Sequence, residues 1–207
     1  MEIFVTGATG VLGRAMVPLL LSAGHRVRGL ARSANNDALL RQLGAEPVAV
    51  DLADAAGLRA TLTGCDAVLH LATKIPPSST ARKGASWREN DRLRREGTNA
   101  LVDAALAAGV PTLLYPSVTL LYPDSGERWL VAGESTPDPT PNLRSTIVAE
   151  EAIARFTAVG GAVKRPAPGE PVRPHGGGGA RAVVAGALGD RPAARRGGGL
   201  CLVAVDR

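Results

Sequence analysis

The sequence predicts an α/β protein with a doubly wound parallel sheet, and two observations carry that prediction. Strand-like apolar runs alternate with helix-like stretches through residues 1–157, the order that lays helices on both faces of a parallel sheet. The first of these runs, IFVT, passes straight into Gly7, Gly10 and Gly13 and then into a helical stretch. A glycine-rich turn between a first strand and a first helix belongs at the carboxyl edge of such a sheet.

The elements follow in order. Strand one covers residues 2–6 and the first helix 11–23. In the turn between them, TGATGVLG, the first glycine permits a tight turn. The second lets backbone approach a ligand without a Cβ in the way, and the third lets helix pack close to strand. Unpaired amides at the positive end of that helix suit the pyrophosphate of a dinucleotide. Gly7, Thr9, Gly10, Val11, Leu12 and Gly13 are therefore candidate cofactor-binding residues. Strand two, residues 26–31, ends at Arg32. An acidic residue there would bond a ribose 2′-hydroxyl, whereas a cation accommodates a 2′-phosphate, so the expected cofactor is NADP, with NAD as the alternative. A solvated loop arginine is the other reading of Arg32. A helix at 36–43, strand three at 46–50, a helix at 53–62 and strand four at 67–71 complete the first half. Asp66 and His70 read as strand-end and packing residues rather than catalysts.

A long helix at 86–108 carries Arg92, Arg94 and Arg95 interleaved with Glu89, Asp91 and Glu96. That mixture of signs reads as a solvated helix face rather than a nucleic-acid patch. Strand five is expected at 112–115 and a last helix at 145–157.

The spacing GxxGxxG in TGATGVLG resembles the extended short-chain dehydrogenase/reductase group, the NAD-dependent epimerase/dehydratase family. The resemblance covers residues 1–157 and implies a Rossmann-like fold. It implies that Asp51 and Leu52, in VDLAD, contact the adenine, and that Leu71, Ala72 and Thr73, closing DAVLHLAT, lie along the cofactor. Gly97 and Thr98 match the family's NVxGT segment, with Arg94 where relatives carry Asn. Relatives use a tyrosine four residues before a lysine on a helix. The lysine grips the nicotinamide ribose and lowers the tyrosine pKa, and the tyrosine moves the proton that accompanies hydride transfer. Here PNLRSTIVAEEA puts Asn142 in the tyrosine position and Thr146 in the lysine position. Asparagine does not titrate and threonine brings no positive charge. In PSVTLLYPD, Ser117 matches one of the family's serines and Val118 holds the usual catalytic place. The candidate catalytic residues are thus Ser117 and Tyr122, with a packing role as the other reading of Tyr122. The segment 124–142, with Trp129 and three prolines, stands where relatives place substrate contacts.

Charge and composition change after residue 160. Residues 160–207 hold 8 Lys and Arg against 3 Asp and Glu and 12 of the 25 glycines, with no aromatic residue. The chain is expected to divide into a dinucleotide-binding domain, 1–160, and an atypical Gly/Arg/Pro-rich tail, 161–207, with the family's C-terminal substrate lobe missing. Codons can be chosen for residues 166–174 and 200–207 whose one-base shift reads RPRGNLYGP and YVSWPSI, both similar to family segments in the correct order. A frameshift near 160–164 is the explanation this favours over a disordered linker or a basic RNA-binding tail, since the tail has no aromatics for base stacking.

Two cysteines, Cys65 and Cys201, supply neither a disulfide framework nor a metal cluster, so no metal is expected and a reducing cytoplasm is the expected compartment. The longest early apolar run, 17–21, is far short of the roughly 20 residues a membrane span needs. The expected partner is a small-molecule substrate of unread identity, without nucleic acid or membrane, and a homodimer stays open. Two functions remain: an NADP-dependent oxidoreductase or epimerase-like enzyme with an atypical active site, and a catalytically silent dinucleotide-binding sensor or regulatory protein.

Overall fold

A computed structural model describes residues 1–124, 136–159, 181–183 and 199–206, the last two segments as backbone. Five parallel strands, β1 (Glu2–Thr6), β2 (Arg26–Leu30), β3 (Glu46–Val48), β4 (Ala67–His70) and β5 (Thr112–Val118), alternate with helices. These are α1 (Val11–Ser22), α2 (Ala34–Gln42), α3 (Ala55–Leu62), α4 (Arg88–Arg92), α5 (Thr98–Ala108) and, after β5, α6 (Arg144–Ala158). The sheet order is β3-β2-β1-β4-β5-β7-β6, with β6 at Arg181–Val183 and β7 at Gly199–Asp206. β1 is the middle one of the five parallel strands, pairing Ile3 with Val27 on one side and with Ala67 on the other.

Strand periodicity of two splits β1 between two cores. Phe4 joins Val68, Leu113 and Tyr115 under α3, α5 and α6, while Ile3 and Val5 join Val27, Ala67 and Leu69 under α1 and α2. Both faces are covered, as the doubly wound prediction requires. Two of the helices start at side-chain caps. Ser33 Oγ accepts from the Asn36 amide at the head of α2, and Asp54 from the Gly57 amide at the head of α3. α5 stops at Gly109, whose φ of +71° is left-handed.

Three expectations need correction. The single helix expected at 86–108 consists of a 3₁₀ turn (Gly84–Trp87), α4, a π-helical turn (Leu93–Gly97) and α5. β5 runs three residues beyond the expected end at 115, because β7 pairs with it from Thr112↔Asp206 to Val118↔Leu200. The sheet also has two strands more than the five expected, since β6 and β7 come from the tail. An edge strand presents unpaired backbone groups, and the valine-containing run LCLVAV answers them. β7 is antiparallel to β5, whereas a strand returning directly over α6 would be parallel. The last helix, expected at 145–157, runs to Ala158. The rest of the tail and the loop 125–135 with Trp129 lie outside the described residues. Among the described residues no helix is long and apolar enough to cross a membrane.

Candidate functional site

The glycine turn leaves the carboxyl end of β1. Gly7 has φ +68°, and a Cβ there would sit 2.6 Å from the Leu71 carbonyl carbon and 2.7 Å from the Ala72 nitrogen. Two separate chain segments predicted to hold the cofactor, the glycine turn and Leu71–Ala72–Thr73, therefore touch through a contact only glycine permits. A Cβ on Gly13 would run into the carbonyl oxygens of Gly7 and Ala8, so α1 packs against the turn as expected. Gly10 precedes α1 with no side-chain cap and no acidic residue in the first turn, in contrast to α2 and α3. The first amides of α1 are thus left for an incoming anion. Gly10 and Val11 are exposed, and Thr9 and Leu12 half-buried. Leu71 is buried, Ala72 half-buried and Thr73 exposed.

At the β2 and β3 end of the same edge, Arg32, Asp51 and Leu52 line one pocket of about 110 Å³ together with Arg92, Glu96 and Gly97. The Asp51 carboxylate is held by the Ala53 amide at 2.8 Å. Gly97 faces Leu52, whose Cδ1 would be 3.2 Å from an added Cβ. Sequence reasoning missed Arg92 as a pocket residue. It is tethered by Glu89 at 2.9 Å, and its hydrogen bond holds the exposed Glu89 carboxyl below the usual range. No local pattern reveals that Arg92 arrives beside Arg32.

The β4 and β5 end is built differently. Ser117 is buried, and its Oγ donates to Glu150 Oε1 on α6. Burial pushes the Glu150 carboxyl up, against the pull of that hydrogen bond and of Arg94. Tyr122, the other candidate catalytic residue, is half-buried four residues past the end of β5. Asn142 sits in a 3₁₀ turn (Pro141–Leu143), accepting from Thr140 Oγ1 at 2.7 Å. It borders a depression of about 440 Å³ with Trp87, Asp91, Ala81, Arg82, Gly84 and Pro141. Ser145 Oγ donates to Asp91 Oδ1 at 2.7 Å, tying α6 to α4 beside it.

The expectation of a solvated arginine face holds for Arg92 and Arg95 and fails for Arg94, which is 4% exposed. The reason is Thr146. That fully buried side chain is short, and Arg94 Nη1 crosses from the π turn to donate to its Oγ1 at 2.6 Å. Tyr115, also hydrogen-bonded to Arg94, is pushed up to about 12 chiefly by burial. His70 lies between the two ends of the edge. Its Nδ1 pairs with Thr6 Oγ1 at 2.6 Å and its Nε2 with Thr98 Oγ1 at 3.0 Å, and its ring tilts against Tyr115. Burial lowers it to about 4, so at neutral pH it is an uncharged packing residue, as its strand position suggested. Asp66 accepts from the Glu2 amide at 2.6 Å where β4 begins.

A model of the NAD dependent epimerase/dehydratase family matches residues 3–158. A sterol-4-alpha-carboxylate 3-dehydrogenase (decarboxylating) of Dictyostelium discoideum is 40% identical over 78 residues, which is 38% of this chain and 24% of that protein. Among solved structures, a short-chain dehydrogenase/reductase superfamily protein from Agrobacterium tumefaciens with bound NAD superposes with TM-score 0.61 at 29% identity, over 76% of this chain and 45% of that one. A UDP-glucose-4-epimerase from Stenotrophomonas maltophila with bound NAD and formylated UDP-arabinopyranose gives TM-score 0.66 at 26% identity, over 77% and 49%. The chain thus spans about a quarter of the length of the curated relative and just under half of each solved one.

Proposed function

The chain belongs to the NAD dependent epimerase/dehydratase family, and from that premise we propose that it is a nicotinamide-dinucleotide-binding protein of the oxidoreductase/epimerase type that prefers NADP. The observation that carries the reading is the junction of the glycine turn with Leu71 and Ala72, which forms a cradle that a single Cβ at position 7 would fill. The α1 amides after Gly10 would take the pyrophosphate, Leu71, Ala72 and Thr73 would run beside it, and Asp51 with Leu52 would border the adenine. Arg32 is the reason for choosing NADP, since a 2′-phosphate gains a charge-assisted bond that a hydroxyl does not. A bound nicotinamide supplies hydride transfer. The protein's own share would be to orient it and to exclude water.

A second reading, a dinucleotide-binding sensor or regulator without turnover, is favoured by one observation. The positions where relatives carry the proton-moving tyrosine and lysine hold Asn142 and Thr146, and Thr146 is already occupied as the acceptor for Arg94. Ser117 is turned inward to Glu150, which leaves Tyr122 as the candidate proton donor.

Titration of NADPH and NADH against the wild-type protein and Arg32→Ala tests the cofactor assignment. NADPH should bind more tightly by a margin equivalent to about 1.5–3 kcal/mol, the worth of a hydrogen bond to a charged group, and Arg32→Ala should remove that margin. A preference that is absent, or that survives the substitution, refutes the role of Arg32.

A further inference from the structure

Two side-chain polar atoms among the described residues are buried without a hydrogen-bond partner, and they sit four residues apart, on α4 and on the π turn that continues it: Asn90 Nδ2 and Arg94 Nε. Buried donors are nearly always satisfied, because an unpaired one forfeits its hydration without return. Two such donors one turn apart mark a place where an acceptor is missing. The backbone agrees. Asn90 closes on the loop after β4, its Oδ1 accepting from the Lys74 amide at 3.0 Å. Arg94 lies in the π turn, a rare geometry that recurs at functional sites. The Lys74 loop continues the Leu71–Thr73 segment that abuts Gly7, so Asn90 is tied to the chain that borders the crevice at the carboxyl edge, and Arg94 follows one turn on.

Their neighbours belong to the second half of that edge. Arg32 and Asp51 mark the end beyond β2 and β3, whereas Arg94 meets Tyr115 of β5 and Thr146 of α6. A dinucleotide laid across this kind of sheet spans both halves, one mononucleotide on each. The groups facing the guanidinium are the Tyr115 hydroxyl, Thr146 Oγ1 and, through space, the Glu150 carboxyl. No carboxylate among the described residues lies within ion-pair distance of it. A buried cation so thinly paired is costly unless something oxygen-rich completes its shell.

Resting on the cofactor reading above, we infer that Arg94, with Asn90, holds the nicotinamide-side half of the dinucleotide. The positive charge of that half comes from the π turn after α4 and crosses to Thr146, instead of rising from α6 at position 146. Arg94 Nε and Asn90 Nδ2 are the donors kept for oxygens of the nicotinamide ribose and its phosphate.

The test compares two ligands on the intact 207-residue protein, NADPH and 2′,5′-ADP, which carries only the adenosine half. In Arg94→Met, which keeps the apolar stem and removes the charge, affinity for NADPH should fall at least tenfold while that for 2′,5′-ADP stays within twofold. A second variant combines Arg94→Asn with Thr146→Lys, returning the charge from the α6 side, and should keep the NADPH to 2′,5′-ADP affinity ratio within threefold of wild type. Circular dichroism reports folding, and if Arg94→Met does not fold, the paired exchange decides. Equal losses for both ligands in Arg94→Met, an unchanged ratio there, or a collapsed ratio in the paired exchange would each overturn the inference. A wild-type protein that binds 2′,5′-ADP as tightly as NADPH also overturns it while leaving the cofactor reading intact. Failure of wild type to bind either ligand removes the cofactor reading itself.

Discussion

The two ends of the carboxyl edge follow different rules. At the β1, β2 and β3 end, contacts are made by backbone and by exposed charge: Gly7 against Leu71, the uncapped head of α1, and Arg32 beside Asp51. At the β4 and β5 end, they are made by buried and half-buried polar side chains paired with one another: Ser117 with Glu150, and Arg94 with Thr146 and Tyr115. The first arrangement tolerates little change in shape, because glycine has no substitute where φ is positive and backbone is close. The second tolerates little change in charge, because each group is desolvated and depends on its partner. The same sheet edge is thus held by geometry at one end and by electrostatics at the other.

The largest effect is expected where charge is added to the electrostatic end. Thr146→Lys sets a second buried cation beside Arg94 in a space sized for threonine. It should destabilise the fold by about 3–5 kcal/mol, the usual cost of a buried charge left uncompensated, read as the shift in urea midpoint. Thr146→Val removes only the acceptor for Nη1 and should cost about 1–3 kcal/mol. Pairing Thr146→Lys with Asn142→Tyr restores the family's residue types but not the space that Arg94 fills, so NADP-linked turnover should stay at the wild-type level. If Thr146→Lys is free of cost, the Arg94–Thr146 contact is not what organises this end.

At the geometric end the matching change is Gly7→Ala. A left-handed alanine costs about 1–2 kcal/mol, and the overlap with Leu71 adds about 1–3 kcal/mol. The sum, about 2–5 kcal/mol, starts below the lysine effect and overlaps it at the top, but it falls where the cofactor would lie, so binding of 2′,5′-ADP should be lost along with stability. A Gly7→Ala protein that binds 2′,5′-ADP normally would show that Leu71 and the turn can separate, and would break the distinction between a rigid end and a charged one.

How much of this was legible in the sequence follows the same division. The geometric end is written in local pattern: strand, three glycines and helix are contiguous, and Arg32 directly follows an apolar run, so residue order alone carries them. That the five strands β1 to β5 lie parallel follows from the alternation. The charged end joins residues far apart in the chain. Arg94 and Thr146 each stood out as departures from the family, yet nothing local indicates that they meet across 52 positions. Arg92, Arg94 and Arg95 share one run of mixed charge, and only the π turn and the short side chain opposite decide that Arg94 alone turns inward. The extension of β5 to Val118 depends on pairing with β7, from Pro116↔Leu202 to Val118↔Leu200, a contact between residues far apart in the chain that no window along it reveals.

The smallest effect tests whether the two ends are coupled, through His70, which bonds Thr6 on one side and Thr98 on the other. Its folded-state pKa is lowered from 6.5 to about 4. The unfolded chain therefore takes up a proton as pH falls through 6.5, while the native protein does not until near 4. Stability from this group is complete above pH 6.5 and declines from there toward pH 4. The decline should reach about 1 kcal/mol at pH 5.5 by linkage. Glu150 acts in the opposite sense, since its raised pKa lets the native state take a proton before the unfolded one as pH falls. The quantity to measure is therefore the difference between wild type and His70→Asn. Asparagine can keep a hydrogen bond to Thr6 or Thr98 but does not titrate. Urea midpoints for the two proteins should converge as pH falls from 7.5 to 5.5, with wild type losing the excess. Parallel curves would mean that His70 is reached by water and charges freely, and the two ends would then be separated by a solvated gap instead of a shared buried side chain.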